Sequence, residues 1–257
     1  MRRLRSFWSS SSFSPLSSRS GETVGVVSDL WRFPVKSFGG ERGRRIFLGP
    51  FGFLGDRCRA VVDPSDGRAM TARRSPGLLA YRARFDDPAR GEGVTVETPS
   101  GDVLTWDDPA LAAAITRGLG RDARDPVGLV RMPTAIHDAA AVHVITEASI
   151  GQMSEWLAED IDRRRFRANI VVEDDGGAPF AEAGWPGRRI ALGDTAALDV
   201  VVGTERCAVT TWDPDTIERD PRVLATLANE RENFFGVYCR VARPGWVAVG
   251  DAVRLTT

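Results

Sequence analysis

Thr204 to Thr216 reads Thr-Glu-Arg-Cys-Ala-Val-Thr-Thr-Trp-Asp-Pro-Asp-Thr, and the side chain in it best equipped for chemistry is the thiol of Cys207. A run of strand-forming residues, Leu198 to Val202, precedes it, and Asp213-Pro-Asp-Thr216 is a turn by composition. That order predicts a thiol at the mouth of a fold. A thiolate is a nucleophile and a soft metal ligand, and a neighbouring arginine, here Arg206, favours the ionised form. Successive strand residues point to opposite faces, so Arg206 reaches Cys207 only if the chain turns between them. A lone cysteine beside a strand is equally a small apolar packing residue. The rest of the chain has to decide between the two.

The elements that must position this thiol belong to a chain of 257 residues, enough for one large or two medium domains with their own cores. Its hydrophobic fraction of 42% and charged fraction of 27% are ordinary for a soluble globular protein. A formal net charge of -1 gives no electrostatic reason to expect nucleic acid as a partner. No apolar run approaches membrane-spanning length, which argues against an integral membrane protein. The cysteines Cys58, Cys207 and Cys239 have no metal-finger spacing and are too few for an iron-sulfur cluster, so any electrons used must arrive from elsewhere. Their odd number, without a secretory signal, points to a reducing compartment, and the cytoplasm is the expected location. Lys36 is the only lysine; every other basic side chain is arginine. Chance survival explains such a lysine, and so does a site where a compact ammonium serves better than a planar guanidinium.

Residues 1–21 are rich in arginine and serine with no acid before Glu22. A mitochondrial transit peptide, a disordered tail and an early start codon all fit that composition, and the arginine bias favours the tail. From Thr23 the pattern predicts many short strands: Val24 to Trp31, Arg45 to Leu48, Arg57 to Asp63, Leu78 to Phe85, Val94 to Glu97 and Val103 to Trp106. Asp108-Pro109 caps a helix that Gly118 can end, and a strand at Val127 to Arg131 leads to a loop containing His137. A domain boundary is placed near residue 138. Beyond it, Val142 to Ile145 is a strand running into Thr146-Glu147-Ala148-Ser149, the start of a helix whose free amide groups form an anion site. Arg167 to Glu173 and Arg189 to Leu192 are strands, Asp220-Pro221 starts a helix, and Phe234 to Ala242 pairs with Trp246 to Leu255 around Arg243-Pro-Gly245. The whole reads as a mixed, β-rich chain with a barrel or strongly curved sheet.

Several separated stretches resemble one family. Phe33-Pro-Val-Lys-Ser37, Gly55-Asp-Arg57, Met70-Thr-Ala-Arg73 with Pro76, and Leu79 onward resemble the MOSC N-terminal β-barrel domain. Val144-Ile-Thr-Glu-Ala-Ser149, Phe166-Arg-Ala-Asn-Ile170, Arg206-Cys207 with Thr210-Thr211, Asp213-Pro-Asp-Thr216, Phe235-Gly-Val-Tyr238 and Val249-Gly-Asp251 resemble the MOSC domain itself. Together they are similar to the mitochondrial amidoxime-reducing component and its bacterial relatives. The resemblance implies a β-barrel-like domain over residues 22–137 and a MOSC β-barrel domain with a few helices over residues 138–257. It also implies a molybdopterin-type molybdenum cofactor, a small N-oxygenated substrate, and a separate electron-donor protein of haem, flavin or ferredoxin type.

Carried over residue by residue, the resemblance makes Cys207 the protein ligand to molybdenum. Lys36, Ser37, Arg57, Thr146, Glu147, Ala148, Ser149, Arg167, Asn169, Arg206 and Tyr238 become the cofactor cradle. The chemistry agrees: a terminal phosphate calls for arginines, a lysine and a helix N-terminus, and the metal for a soft thiolate. Asp213 and Asp215 are candidates for the substrate edge, with a turn role as the alternative. Cys58 and Cys239 are read as packing residues, His137 and His143 as structural. Phe33 stands where the family has tyrosine, and Glu205 where the mitochondrial enzymes have a small polar residue. The implied activity is reduction of N-hydroxylated compounds by oxygen-atom transfer. The alternative is a carrier module using Cys207 as a persulfide or transient cofactor ligand. MOSC domains also end molybdenum cofactor sulfurases, which bring pyridoxal phosphate binding only as a domain-level alternative.

Overall fold

The computed structural model describes residues 21–132 and 139–256, so residues 1–20 of the expected tail and the loop position His137 lie outside the described residues. The strands of the first half are β1 (Glu22–Arg32), β2 (Glu41–Arg42), β3 (Arg45–Gly49), β4 (Gly52–Phe53), β5 (Arg59–Val62), β6 (Arg82–Asp87), β7 (Glu92–Glu97), β8 (Val103–Thr105) and β9 (Gly128–Arg131), with helix α1 (Pro109–Gly118) before the last. The second half comprises β10 (Val142–Thr146), α2 (Glu147–Leu157), β11 (Ile170–Asp174), β12 (Arg189–Leu192), β13 (Ala196–Glu205), α3 (Arg222–Arg231), β14 (Phe234–Arg243), β15 (Gly245–Ala248) and β16 (Ala252–Thr256). No helix among the described residues is long and apolar enough to cross a membrane.

Seven strands close into a barrel in the order β11-β10-β14-β13-β12-β16-β1, with β1 pairing back onto β11. Closure leaves no free edge in this ring. Every pairing in it is antiparallel except β10 with β11. Helix α2 is the crossover that a parallel pair needs. Alternate residues fill the interior, among them Val27, Leu30, Val144, Val172, Leu198, Val237 and Leu255. β1 comes from the first half yet completes the barrel, and β3 pairs with β15, so Ile46, Leu48 and Phe53 join the same core. The core therefore does not divide at residue 138.

A second core lies between the antiparallel β6-β7-β8 sheet and α1, where Phe38, Leu78, Tyr81, Phe85, Trp106, Leu111 and Ile115 are buried together. The α1 start matches its sequence signal: the Asp108 carboxylate accepts the Ala110 N–H at 2.8 Å and Pro109 occupies the first turn. Outside the barrel, α2 and α3 bury Met153 and Leu227 against Ile145, Phe166, Val171 and Phe235.

Three local expectations are corrected. Leu78 to Phe85 is not one strand: Pro76–Ala80 forms a 3-10 turn, burying the consecutive Leu78 and Leu79, and the strand starts at Arg82. Consecutive buried residues cannot share one face of a half-buried strand. Arg167 to Glu173 likewise begins too early. The Asp162 carboxylate caps a 3-10 turn over Arg163–Phe166, and Arg167 follows in the left-handed region (φ 53°), so the strand begins at Ile170. Finally, β14 and the segment after it are not partners. β15 turns away to pair with β3, and β16 runs between β1 and β12.

Candidate functional site

Cys207 comes two residues after β13 ends and opens a 3-10 turn over Ala208–Thr211, with the Thr210 hydroxyl donating to the Cys207 carbonyl at 3.0 Å. The chain is extended at Cys207 (φ -131°, ψ 179°), and the thiol is half-buried on a cavity of about 470 Å³. Both halves of the chain wall this cavity. Lys36, Ser37, Arg57 and Arg73 come from the first, and His143, Arg167, Asn169, Arg206 and Tyr238 from the second. Five cationic side chains thus face one carboxylate, Glu205, among the described lining residues.

The first-half residues are held by backbone contacts. Lys36 donates its N–H to the Arg59 carbonyl at 2.8 Å, and the Ser37 hydroxyl accepts the Ala72 N–H at 2.9 Å. Arg57 donates its N–H to the Phe33 carbonyl at 2.6 Å while the buried Asp56 carboxylate accepts the Phe33 N–H at 2.7 Å. Ser37, Arg57 and Arg167 all have positive φ (71°, 49° and 53°). Each such non-glycine residue costs about 1–2 kcal/mol, so three at one cavity are strain held by surrounding contacts.

The two halves meet at Phe33 and Asn169. The Arg57 and Arg167 guanidiniums lie 4.8 and 4.3 Å from the Phe33 ring centroid. Arg167 donates to the Phe38 carbonyl at 2.8 Å, and Arg57 pairs with Asp56 and reaches the Asn169 carboxamide oxygen at 3.4 Å. Asn169, almost fully buried, donates its amide to the Trp31 carbonyl at 3.2 Å. Arg206 donates to the Phe166 carbonyl at 2.7 Å and approaches His143 Nε2 at 3.5 Å, while the Tyr238 ring sits 5.4 Å from the imidazole. Burial, then the charge of Arg206, pushes the His143 pKa well down, so its imidazole is neutral.

Lys36, Ser37, Arg57, Arg167, Asn169, Arg206, Cys207 and Tyr238 are thus brought to one cavity. Thr146, Glu147, Ala148 and Ser149 are not among its lining residues. Thr146 and Ser149 are fully buried and bind the Glu182 carboxylate, the Ala148 N–H donates to Asp174 at 3.0 Å, and Glu147 pairs with Arg163. The expected anion site at this helix N-terminus is corrected: the chain's own carboxylates already take it. Burial raises the pKa of both Glu182 and Asp174.

Asp213 and Asp215 also stand outside the cavity lining. Asp213 accepts the Asp215 and Thr216 N–H groups at 2.9 Å and pairs with Arg165 at 3.0 Å, the turn role of the two readings. Asp215 bridges Arg82 of the first half and Arg164 of the second. Cys239 is buried in the barrel core, where burial pushes its thiol far up, and burial likewise raises that of Cys58. His143 and Arg73 line the cavity without having been singled out for it. Arg73 sits in the quoted Met70-Thr-Ala-Arg73 motif, whereas His143 is recognisable only once β10 is paired with β14, where it stands opposite Tyr238.

Residues 24–123 match the MOSC N-terminal beta barrel domain, and residues 132–254 match the MOSC domain. The chain is 27% identical to mitochondrial amidoxime-reducing component 1 of Mus musculus over 91% of this chain and 83% of that protein. It is 35% identical to the Danio rerio protein of the same name over 90% and 84% of the two chains. The molybdenum cofactor sulfurase of Caenorhabditis briggsae is 28% identical over 90% of this chain, but only 36% of that longer protein. The solved YUAD protein from Bacillus subtilis shares the fold, with a TM-score of 0.50 at 13% identity, over 90% of this chain and 95% of that one. Two domain matches in order, covering most of the chain, place it plainly: it belongs to the MOSC-domain proteins that carry a MOSC N-terminal beta barrel domain.

Proposed function

We propose that this protein is a molybdenum-cofactor-dependent oxidoreductase that reduces N-hydroxylated compounds, with Cys207 as the protein ligand to the metal. The observation that carries this reading is a single half-buried thiol on a cavity whose wall holds Lys36, Arg57, Arg73, Arg167 and Arg206. That donor set fits a molybdopterin: cations for the phosphate, Asn169 and backbone groups for the polar rings, and one soft ligand for the metal. Among the described residues no three His, Cys, Asp or Glu side chains gather in metal-ligating geometry, so a metal at Cys207 would bring further ligands with it. When bound, the cofactor supplies the two-electron chemistry of oxygen-atom removal.

The chain's own residues do the rest. Lys36 and the arginines bind and orient, and the strained turns at Ser37, Arg57 and Arg167 hold those groups in place before anything enters. Neutral His143 packs one ring nitrogen against the Phe235 carbonyl and beside Arg206 without adding positive charge, while the Phe166 carbonyl holds that guanidinium. In the net reaction the N–O bond breaks, two electrons arrive from a donor protein, and two protons complete the amine or amidine and water. The test is reduction of an amidoxime by cofactor-loaded protein with a chemical electron donor. Turnover that is lost in Cys207→Ser supports the reading; a loaded, folded protein without turnover contradicts it.

The similarity to a molybdenum cofactor sulfurase favours a second reading, in which Cys207 carries a persulfide or holds the cofactor only in transit. Mass spectrometry of Cys207 separates the two.

A further inference from the structure

We propose that a second cavity, on the other side of Arg167 and Val209 from the thiol, binds planar aromatic carboxylates. It encloses about 210 Å³ between the two halves of the chain and shares those two residues with the thiol cavity. Three rings line it: Trp31, Phe33 and Trp212. Five arginines join them, namely Arg42, Arg82, Arg164, Arg165 and Arg167, and no acidic side chain is among the described lining residues. Rings that stack on a flat ligand, beside guanidiniums that match a carboxylate, define the ligand class. The volume suits a single substituted ring and is too small for a nucleotide.

Arg165 adds an independent observation. Its side chain is only 9% exposed, its Nη2 donates to Asp213 at 3.0 Å, and its buried Nε and Nη1 have no hydrogen-bond partner. A buried guanidinium with donors left over raises the positive potential of the cavity it lines, which favours an anionic ligand there. Arg82 and Arg164 are pinned from outside by Asp215, so the wall is pre-formed. Val209 lies two residues beyond Cys207, which puts this cavity beside the thiol turn whatever that thiol does.

The test is direct binding to the full chain, with or without cofactor, by calorimetry or ligand-observed NMR. Benzoate is the probe, with benzamide (ring without charge) and acetate (charge without ring) as controls. The expected result is benzoate binding at about millimolar affinity or tighter, with benzamide and acetate much weaker. Arg165→Gln should weaken it at least about tenfold. Arg82→Gln, at a half-exposed position that leaves Asp215 paired with Arg164, should weaken it severalfold and guards against a misfolded Arg165 variant. Lys36→Ala, at a residue that lines the thiol cavity and not this one, should leave it unchanged. The proposal is overturned by no benzoate binding, by benzamide binding as tightly, or by benzoate binding that Lys36→Ala abolishes and Arg82→Gln does not touch.

Discussion

Asn169 and His143 hold each other across the parallel β10–β11 pair: the Asn169 N–H donates to the His143 carbonyl at 2.8 Å, and the His143 N–H donates to the Asn169 carboxamide at 3.2 Å. With the Asn169 amide also bound to the Trp31 carbonyl, one side chain ties β1, β10 and the Arg167–Asn169 turn together behind the thiol cavity. Asn169→Ala leaves the buried His143 N–H and the Trp31 carbonyl without these partners. The expected cost is about 2–4 kcal/mol of stability, read by urea unfolding. A loss below about 0.5 kcal/mol would deny Asn169 this role.

The neutral, buried His143 makes stability pH-dependent. Its native pKa lies below the unfolded value of 6.5, so below that pH the unfolded chain binds a proton that the native protein refuses. The contribution is present above the unfolded pKa and is lost as pH falls. Between pH 7 and pH 5 wild type should lose more stability than His143→Gln, which lacks the group. Parallel stability curves for the two proteins would mean that His143 titrates normally in the fold.

Asp215 is expected to act as a clamp between the halves rather than at the reacting centre. The Arg164 hydrogen bond holds its carboxyl below the usual range, so its contribution is present at neutral pH and fades as pH falls through the carboxylate range. Both partners are substantially exposed, so Asp215→Asn should cost no more than about 1 kcal/mol, and less at high salt. Thermal unfolding at two ionic strengths reads this. A salt-independent loss of several degrees would point to packing instead.

Lys36→Ala and Arg57→Ala should each cut retention of a bound pterin at least about tenfold, the value of one charge-assisted contact. Retention is measured after gel filtration, with circular dichroism to establish that the variants are folded. Unchanged retention in both would remove these residues from the cradle.

The barrel, α1 and α2 were legible because alternation, capping residues and turn composition are local signals. Asp108-Pro109 predicted the start of α1, and Val142 to Ile145 the strand before α2. What escaped is non-local. Nothing in the sequence around Val24 to Trp31 says that this strand closes the barrel of the second half, because its partners β11 and β16 come more than a hundred residues later. The fate of Thr146 to Ser149 was hidden for the same reason: Glu182 and Asp174 reach that helix end only in the folded chain. His143 gave no motif signal, since its place beside Arg206 and Tyr238 depends on how β10, β13 and β14 pair.

The most direct test of the central claim is metal and pterin analysis of the protein purified from a host that makes the cofactor, compared with Cys207→Ser. Near-stoichiometric molybdenum and pterin in the wild type, with molybdenum lost or weakened in the variant, is the predicted result. Folded wild-type protein with neither, and with extra sulfur on Cys207, would contradict it.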